Sequence, residues 1–500
     1  MLVSFYLNEN SMSARQKVGF VLGIGLFLVL ILIPAPENMN PLAMRAAAVS
    51  SLMAVFWVTE AISIFATGFI PIALFPLLGV LDSKQIAASY GHHIVLLIIG
   101  AFFVAKAIET NNLHKRIALA TIKAIGVSRQ RVMLGFMVAT GFLSMWTSNN
   151  STTLMMLPIG LAILDREQKM GSDISNFAPG LMLSIAYSAS IGGVGTLVGT
   201  PPNLVFVSTL KELFPASPDI LFTEWLKIGI PFVLVFLPLT WFYLVRYFNV
   251  SGSLHGSSNI IQKEFNDLGP MSLAEKRVSA IVLLYALGFV FRGWWSDLLG
   301  VSGFAKDSTV ALAAALLLFA IPSGEHNKKG RAFRLLEWED AKNVPWGIAM
   351  LIGGGLAIAS SFKSSGLVTW IGDAIELSGI PIFLIVIMVV FLMVFLTEIN
   401  SNTATTAVFL PVLAGLAKAG EFHPFLIMVP ATIAASCAFM LPSGTGPNAS
   451  ILASGKLTIP EMAKAGFGLN LLSVIVITIL VYAIVLPVFG VSSSLPTWAR

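Results

Sequence analysis

The chain has 500 residues, of which 56% are hydrophobic and 11% are charged, and its mean hydropathy is +0.86. Soluble domains carry about twice that share of charged residues, so the composition excludes an ordinary soluble protein and indicates an integral membrane protein. The formal net charge of +5 does not point to nucleic acid, because the basic residues fall in short loops between apolar runs, as the positive-inside rule describes.

Apolar runs long enough to cross a membrane follow one another along the chain. Each is roughly 17 to 25 residues long, which fits a helix across a hydrocarbon layer about 30 Å thick, whereas barrel strands would be shorter and alternating. The pattern predicts an all-α integral membrane protein with about eleven transmembrane helices and two re-entrant hairpins. The predicted spans are 18–34, 42–58, 60–81, 93–112, 177–207, 226–246, 277–293, 307–322, 347–363, 424–453 and 467–490, and the predicted first and second hairpins are 130–164 and 380–417.

A run of small hydroxyl and amide side chains interrupts each predicted hairpin, and the two runs are copies of each other. Ser148 and Ser401 stand 253 positions apart (401 − 148), and Pro158 and Pro411 keep the same offset (411 − 158). Non-helical backbone at membrane depth is tolerated only where it lines a cavity or is buried in protein. The polar tips therefore favour re-entrant hairpins over ordinary crossing pairs.

Each hairpin is followed by a span that carries a break of its own. The first break, residues 199–203, reads Gly-Thr-Pro-Pro-Asn, and the second, residues 444–448, reads Gly-Thr-Gly-Pro-Asn. Proline removes a helix donor and clashes with the preceding turn, and glycine accepts any backbone angle. The helix is therefore expected to end and restart there, with free carbonyl groups on one side of the break and free N–H groups on the other.

The two halves are predicted to lie upside-down relative to each other, because an odd number of spans separates the copies, as in the inverted repeats of secondary transporters. The polar linker 249–276 joins the halves. If each hairpin enters and leaves on one side, the basic clusters all fall on one face, which the positive-inside rule makes cytoplasmic. This places the chain in the cell membrane with its N-terminus cytoplasmic and its C-terminus extracytoplasmic.

Hydroxyl and amide side chains beside a broken helix suit two kinds of ligand. Helix N-termini with unpaired N–H groups hold anions, and loop carbonyls with Ser, Thr and Asn oxygens suit a hard cation. A single polar cluster of this kind more often serves helix–helix hydrogen bonding. Two copies at one offset, each followed by a break, instead favour an anion site flanked by two cation sites.

Three charged residues lie in or near predicted spans, where charge is costly. Lys106 and Glu109 stand three apart on one helix face, so a structural salt bridge is predicted. Glu398 adjoins Thr397, and its sequence position fits either tuning of a cation site or attachment of the second hairpin to its neighbour. Cys437, the one cysteine of the chain, is expected to be a buried thiol.

The hairpin tips, the breaks and residues 57–61 (Trp-Val-Thr-Glu-Ala) together resemble the divalent anion:sodium symporters, the INDY-like carriers of di- and tricarboxylates. The resemblance covers nearly the whole chain. It implies a non-enzymatic symporter that imports a C4-dicarboxylate such as succinate with two or more sodium ions and without an organic cofactor. It also implies a homodimer in the lipid bilayer, with an elevator-type transport domain that moves against a scaffold. The implied division is an N-terminal tail at 1–17, scaffold helices at 18–112, transport elements at 113–248, a cytoplasmic linker at 249–276, scaffold helices at 277–365, transport elements at 366–490 and a C-terminal tail at 491–500.

By the same resemblance, the tips and breaks supply the ligands of substrate and sodium. The substrate residues implied are Asn149, Asn150, Asn402, Thr403, Thr200 and Thr445. The first cation site implied is Ser144, Ser148, Asn149 and Gly199, and the second is Thr397, Asn400, Asn402 and Gly444.

Two residues depart from the family pattern. Asn150 stands where threonine is common, and Gly446 replaces the proline of the first break; either can alter the choice of substrate, since an amide donates two hydrogens. A sodium-independent dicarboxylate exchanger and a sulfate or phosphate symporter stay open as alternatives. A channel is disfavoured because the repeat is internal and inverted, and an enzyme because neither tip contains His, Cys or Asp.

Overall fold

The computed structural model of the chain describes residues 13–126, 128–254, 257–326, 332–374 and 379–500, apart from the side chains of 257–261. These residues are mostly helical, as predicted. Within the described ranges the only strands are β1 (Pro322–His326) and β2 (Ala332–Arg334), a short antiparallel pair.

In the described part of the first half there are twelve helices. Those before the first hairpin are α1 (Ala14–Leu32), α2 (Pro41–Thr59), α3 (Ile64–Thr67), α4 (Ile70–Leu77), α5 (Ser83–Tyr90), α6 (His93–Thr110) and α7 (Leu113–Ile125). The hairpin itself is α8 (Arg129–Ser144) and α9 (Asn149–Lys169), followed by α10 (Phe177–Gly193), α11 (Pro201–Leu213) and α12 (Phe222–Tyr247).

The linker contains one helix, α13 (Ser257–Asp267). The second half again places a hairpin and a broken span after a set of leading helices, which are α14 (Leu273–Val290), α15 (Arg292–Leu298), α16 (Asp307–Ala320), α17 (Trp338–Ala341), α18 (Trp346–Ser365) and α19 (Leu367–Ala374). The second hairpin is α20 (Ile382–Leu396) and α21 (Asn402–Ala419), followed by α22 (Phe425–Ala435), α23 (Gly446–Leu452), α24 (Ile459–Leu480), a π-helical turn (Val481–Val485) and α25 (Leu486–Phe489).

Fewer continuous membrane-length helices are present than the predicted spans. Within the described residues, six helices are long and apolar enough to cross a membrane, or seven if α14 and α15, bent by 79° at their junction, form one span. The difference has a physical cause: breaks and prolines divide several predicted spans into pieces, as at 60–81, which becomes α3 and α4. The count of about eleven spans and the re-entrance of the hairpins stay predictions.

The first pieces of the two broken spans form the centre of the fold. All 17 residues of α10 are buried, and so are all 11 residues of α22. A helix that is apolar all round is expected in such a position. Each of these helices packs against the hairpin of its own half, so the breaks that follow them are held beside the hairpin tips.

The contact between α8 and α10 is made by backbone. A Cβ atom built on Gly192 would lie 2.2 Å from the carbonyl oxygen of Gly141 and 2.5 Å from its Cα. Small residues at such crossings let helices in membranes approach closely.

We expect Gly192→Ala to lower the stability of the protein, because its methyl group meets backbone that cannot rotate away. Overpacking of this kind costs about 1–3 kcal/mol or more. Gly25→Ala is the matched control, since nothing lies within 4 Å of a Cβ on Gly25 and alanine favours helix. Thermal unfolding of both purified variants in detergent measures the difference, and an equal melting temperature for the two would contradict the close contact.

Candidate functional site

The first hairpin turns over between Ser144, the last residue of α8, and Asn149, the first residue of α9. Ser148 caps α9, and its Oγ accepts a hydrogen bond from the backbone N–H of Ser151 at 3.2 Å. Serine is among the preferred N-cap residues because its oxygen satisfies such an unpaired donor. The tip therefore ends one helix and starts the next as the sequence predicts.

Four oxygen atoms converge beside this tip, and we call them the first oxygen cluster. Ser144 Oγ lies 2.7 Å from Asn149 Oδ1 and 2.7 Å from the Ala189 carbonyl oxygen. The same end of the Asn149 amide is 3.2 Å from the Ala189 oxygen and 3.3 Å from the Gly199 carbonyl oxygen. A serine hydroxyl supplies one hydrogen. With Asn149 Oδ1 on this side, the cluster therefore holds more acceptor oxygens than that hydrogen can serve, whereas with Nδ2 on this side the amide donates to them.

The second hairpin builds the same arrangement, which we call the second oxygen cluster. Thr397 Oγ1 lies 2.7 Å from Asn402 Oδ1 and 2.7 Å from the Ala435 carbonyl oxygen. Thr397 and Asn402 stand 253 positions after Ser144 and Asn149 (397 − 144 and 402 − 149). The sequence duplication is therefore also a duplication of oxygen geometry.

The two ends of the Asn149 amide face opposite chemistry. Its Oδ1 faces acceptor oxygens, whereas its Nδ2 faces only hydrogen-bond donors. Two arrangements satisfy these surroundings. A cation among the oxygens fits the amide as it stands, while an amide rotated by half a turn places Nδ2 where it donates to Ser144, Ala189 and Gly199. Oxygens gathered on one side and donors on the other suit a cation next to an anion.

The breaks are held open by their asparagines. Asn203 Nδ2 donates to the Thr196 carbonyl at 2.7 Å, and Asn448 Nδ2 donates to the Leu441 carbonyl at 3.0 Å. Both asparagines are fully buried, and the Oδ1 of each has no hydrogen-bond partner among the described residues. Thr200 and Thr445 are the N-caps of the helices that restart after the breaks.

The two halves meet where the sequence departs from the family pattern. Asn150 Oδ1 accepts a hydrogen bond from Ser450 Oγ at 3.2 Å. A Cβ on Gly446 would lie 2.9 Å from the same Asn150 oxygen. Asn150 and Gly446 are thus neighbours in space, so the longer amide of one half is accommodated by the missing side chain of the other.

Glu398 attaches the second tip to the second break. Its Oε1 accepts from the backbone N–H of Phe439 at 2.6 Å and of Met440 at 2.9 Å, and from Asn470 Nδ2 at 2.8 Å. Its Oε2 accepts from the N–H of Leu441 at 2.9 Å. Of the two interpretations of Glu398, attachment to a neighbouring element is directly visible in these contacts. We call this arrangement the Glu398 clamp.

Some expected ligands point elsewhere. Ser148 Oγ is engaged with Ser151, and Asn400 Oδ1 accepts from the N–H of Ser401 at 2.8 Å, so neither side-chain oxygen belongs to an oxygen cluster. Thr403 is buried at the start of α21.

Lys106 and Glu109 form the predicted salt bridge at 2.9 Å. They line a small cavity, of about 60 Å³, together with Ser148 and Ser151 of the first tip.

Several contacts at the site were not predicted. Asn470 and Ser450 contact the tips from other elements, and Arg15 Nη2 donates to the Ile399 carbonyl oxygen at 2.8 Å. A lone amide in an apolar span is a signal that could have drawn attention to Asn470. The carbonyl oxygens of Ala189 and Ala435 could not be predicted as parts of the clusters, because the residue type does not indicate what a backbone carbonyl contacts. Cys437 is buried, as expected.

A family comparison covers nearly the whole of this architecture. Residues 14–489 match the model described as the sodium:sulfate symporter transmembrane region. The chain belongs to this family. This sodium:sulfate symporter family member is 40% identical to the sodium-dependent dicarboxylate transporter SdcS of Staphylococcus saprophyticus, with 99% of this chain and 96% of that relative covered. It is 41% identical to the SdcS of Staphylococcus aureus strain MW2, with 97% and 94% covered.

Two solved structures share the fold of this family member. One is Neisseria gonorrhoeae MtrF, from a class of antimetabolite efflux pumps, with a TM-score of 0.58 and 10% sequence identity. The other is the Alcanivorax borkumensis YdaH transporter, with a TM-score of 0.54 and 13% identity. Each likeness covers 98% of both chains. At such identities the likeness concerns the fold alone, and it agrees with a transporter architecture.

We expect Tyr187→Phe to destabilise the protein, since Tyr187 is fully buried and its hydroxyl donates to the Phe439 carbonyl of the unwound segment at 2.6 Å. Leaving a buried acceptor without its donor costs about 1–3 kcal/mol. Tyr482→Phe is the control, because the Tyr482 hydroxyl has no partner among the described residues. Thermal unfolding compares the two variants. A loss of stability no larger in Tyr187→Phe than in Tyr482→Phe would show that this bond does not support the break.

Proposed function

We propose that this protein is a secondary active transporter that imports C4-dicarboxylates such as succinate by symport with sodium. The observation that carries the proposal is the pair of oxygen clusters, built alike by the two hairpins and the two breaks beside helix N-termini. The relatives at 40% and 41% identity carry the name sodium-dependent dicarboxylate transporter, which supports sodium as the coupling ion and a dicarboxylate as the substrate. A sodium-independent exchanger and a sulfate or phosphate symporter are the alternatives that the test below distinguishes.

In the proposed division of roles, oxygen atoms of the site bind sodium and its hydrogen-bond donors bind the anion. Ser144, Ser148, Asn149 and Gly199 contribute the first sodium site, and Thr397, Asn400, Asn402 and Gly444 contribute the second. The proposed substrate residues are Asn149, Asn150, Asn402, Thr403, Thr200 and Thr445. For Ser148 and Asn400 the proposal rests on backbone carbonyl oxygen, because their side chains are engaged locally.

The Asn149 amide gives a physical basis for coupling. With sodium among the oxygens, Oδ1 faces the cation and Nδ2 is left to donate to a carboxylate. Without sodium, the amide rotated by half a turn donates to the three other oxygens of the cluster. Its own oxygen then faces the substrate carboxylate, and the two electron-rich oxygens repel each other. Sodium therefore favours the orientation that binds the anion, and by linkage the anion favours sodium to the same extent.

The movement that we propose treats the transport elements, 113–248 and 366–490, as one body that travels against the scaffold, 18–112 and 277–365. Hydrogen bonds that join the two transport halves support this division, among them Asn150 with Ser450 and Tyr187 with Phe439. We further propose a homodimer, as the family resemblance implies. The loop charges favour a cytoplasmic N-terminus and an extracytoplasmic C-terminus.

Uptake into vesicles tests the proposal directly. Purified protein is reconstituted and supplied with labelled succinate or labelled sulfate, with an inward gradient of sodium or of choline. We expect succinate uptake that requires sodium and needs no dicarboxylate inside the vesicle. Equal uptake in choline that requires internal dicarboxylate would indicate an exchanger, and uptake of sulfate but not succinate would indicate the inorganic alternative.

We expect Thr397→Val to weaken sodium binding while it preserves side-chain shape. It removes one oxygen of the second cluster, and the sodium concentration for half-maximal uptake should rise roughly tenfold, equivalent to about 1.4 kcal/mol. Saturating sodium should largely restore the apparent affinity for succinate, because the linkage is reciprocal.

The control is Thr432→Val, which removes an equally buried hydroxyl that donates to the Met428 carbonyl at 2.7 Å within α22. This variant should keep the sodium dependence of the unmodified protein. Loss of succinate affinity in Thr397→Val that sodium cannot rescue would move Thr397 from the cation site to the substrate site.

A further inference from the structure

The Glu398 clamp holds a carboxylate in an unusual setting. Glu398 is only 3% exposed, and the four groups that contact its oxygens are three backbone N–H groups and one side-chain amide. As they lie, all four donate to the carboxylate. Hydrogen bonds to a charged group favour that form, and here they act against the cost of burying the charge.

Among the described residues, no cationic side chain lies within salt-bridge distance of this carboxylate. The salt bridges of the described residues do not include Glu398. Arg15 reaches the same tip but donates to the backbone oxygen of Ile399. Burial of an ion is costly unless another charge compensates it, so a positive charge close to Glu398 would be stabilising.

Two residues proposed for the second sodium site, Thr397 and Gly444, adjoin Glu398. Glu398 directly follows Thr397, and a Cβ on Gly444 would lie 3.2 Å from Glu398 Oε2 and 3.2 Å from its carbonyl oxygen. A cation held by Thr397, Asn402 and Gly444 would therefore be close enough to compensate the charge through a poorly polarisable interior.

The first half repeats the backbone of this region but not its charge. Met145 stands at the position of Glu398, 253 residues earlier (398 − 145). Its carbonyl accepts from Thr196 Oγ1 at 2.6 Å, as the Glu398 carbonyl accepts from Ser443 Oγ at 3.2 Å. The two regions therefore share this backbone contact, and only the second places a carboxylate at this position.

We propose that Glu398 is a positioning residue that supplies the charge compensating the cation of the second site, and that this site consequently binds sodium more tightly than the first. The inference rests on the proposed sodium coupling and adds an order to it. At rising sodium concentration the second site fills before the first. The second half therefore completes its cation site before the first half does.

Sodium-dependent thermal stabilisation of the purified protein tests this without transport. Glu398→Gln and Asn470→Leu each remove one hydrogen bond of the Glu398 clamp, because a glutamine NH2 cannot accept from the Leu441 N–H. Only the first variant removes the charge. We expect the half-saturating sodium concentration of the tight component to rise roughly tenfold in Glu398→Gln and to stay within about twofold in Asn470→Leu. Met145→Gln, which changes no charge in the first half, should leave the tight component unchanged.

The outcomes of this experiment distinguish the role of Glu398 from the sodium coupling itself. Unmodified protein and Glu398→Gln that respond to sodium with the same curve would overturn this inference and leave the proposed function intact. Unmodified protein that sodium does not stabilise beyond choline would instead refute the sodium coupling. If Glu398→Gln yields no folded protein, Asn470→Leu remains a test of the inference. A raised half-saturating concentration in that variant would show that clamp geometry controls the site and would overturn the role of the charge.

Discussion

A helix that breaks inside an apolar chain leaves backbone groups that must find partners, and the rest of this structure depends on how they find them. No water is available in a hydrocarbon layer, so each unsatisfied N–H or C=O group costs several kcal/mol. Asn203 and Asn448 bind carbonyl groups of the two breaks, and the Glu398 carboxylate binds three N–H groups of the second. Side chains thus keep each break unwound, and the unwound backbone in turn presents the oxygens of the site.

The two halves meet this constraint by different means. In the first half, Gly195 and Gly199 still donate locally, to the Gly192 carbonyl and to Thr196 Oγ1. In the second half, the N–H groups of residues 439–441 turn to a carboxylate from another element. A duplicated fold does not require duplicated electrostatics, and a single difference such as Met145 against Glu398 is enough to make two similar oxygen clusters unequal.

The sequence was most informative where a pattern repeated. The tips at Ser148 and Ser401 and the breaks before Pro201 and Gly446 all lie at ends of helices, as predicted, because proline, glycine and capping side chains act locally. The Lys106–Glu109 pair was predictable for the same reason, since the two residues share one helix face.

Partners from distant parts of the chain could not be predicted in this way. Asn470 contacts Glu398 across 72 positions, and Ser450 contacts Asn150 across 300. The backbone oxygens of Ala189 and Ala435 are equally hidden, because alanine gives no indication of what its carbonyl group contacts. The division of several predicted spans into shorter helices could not be predicted either, since hydropathy registers apolar length and not where a helix bends.

The crossing of α8 and α10 at Gly141 and Gly192 has a mechanical consequence. Side chains between two helices act as a deformable layer, since they can change rotamer when one helix slides over the other. At this crossing the backbones themselves touch, so there is no such layer to absorb relative movement of the two helices. The first tip and the broken span beside it are therefore expected to move as one unit.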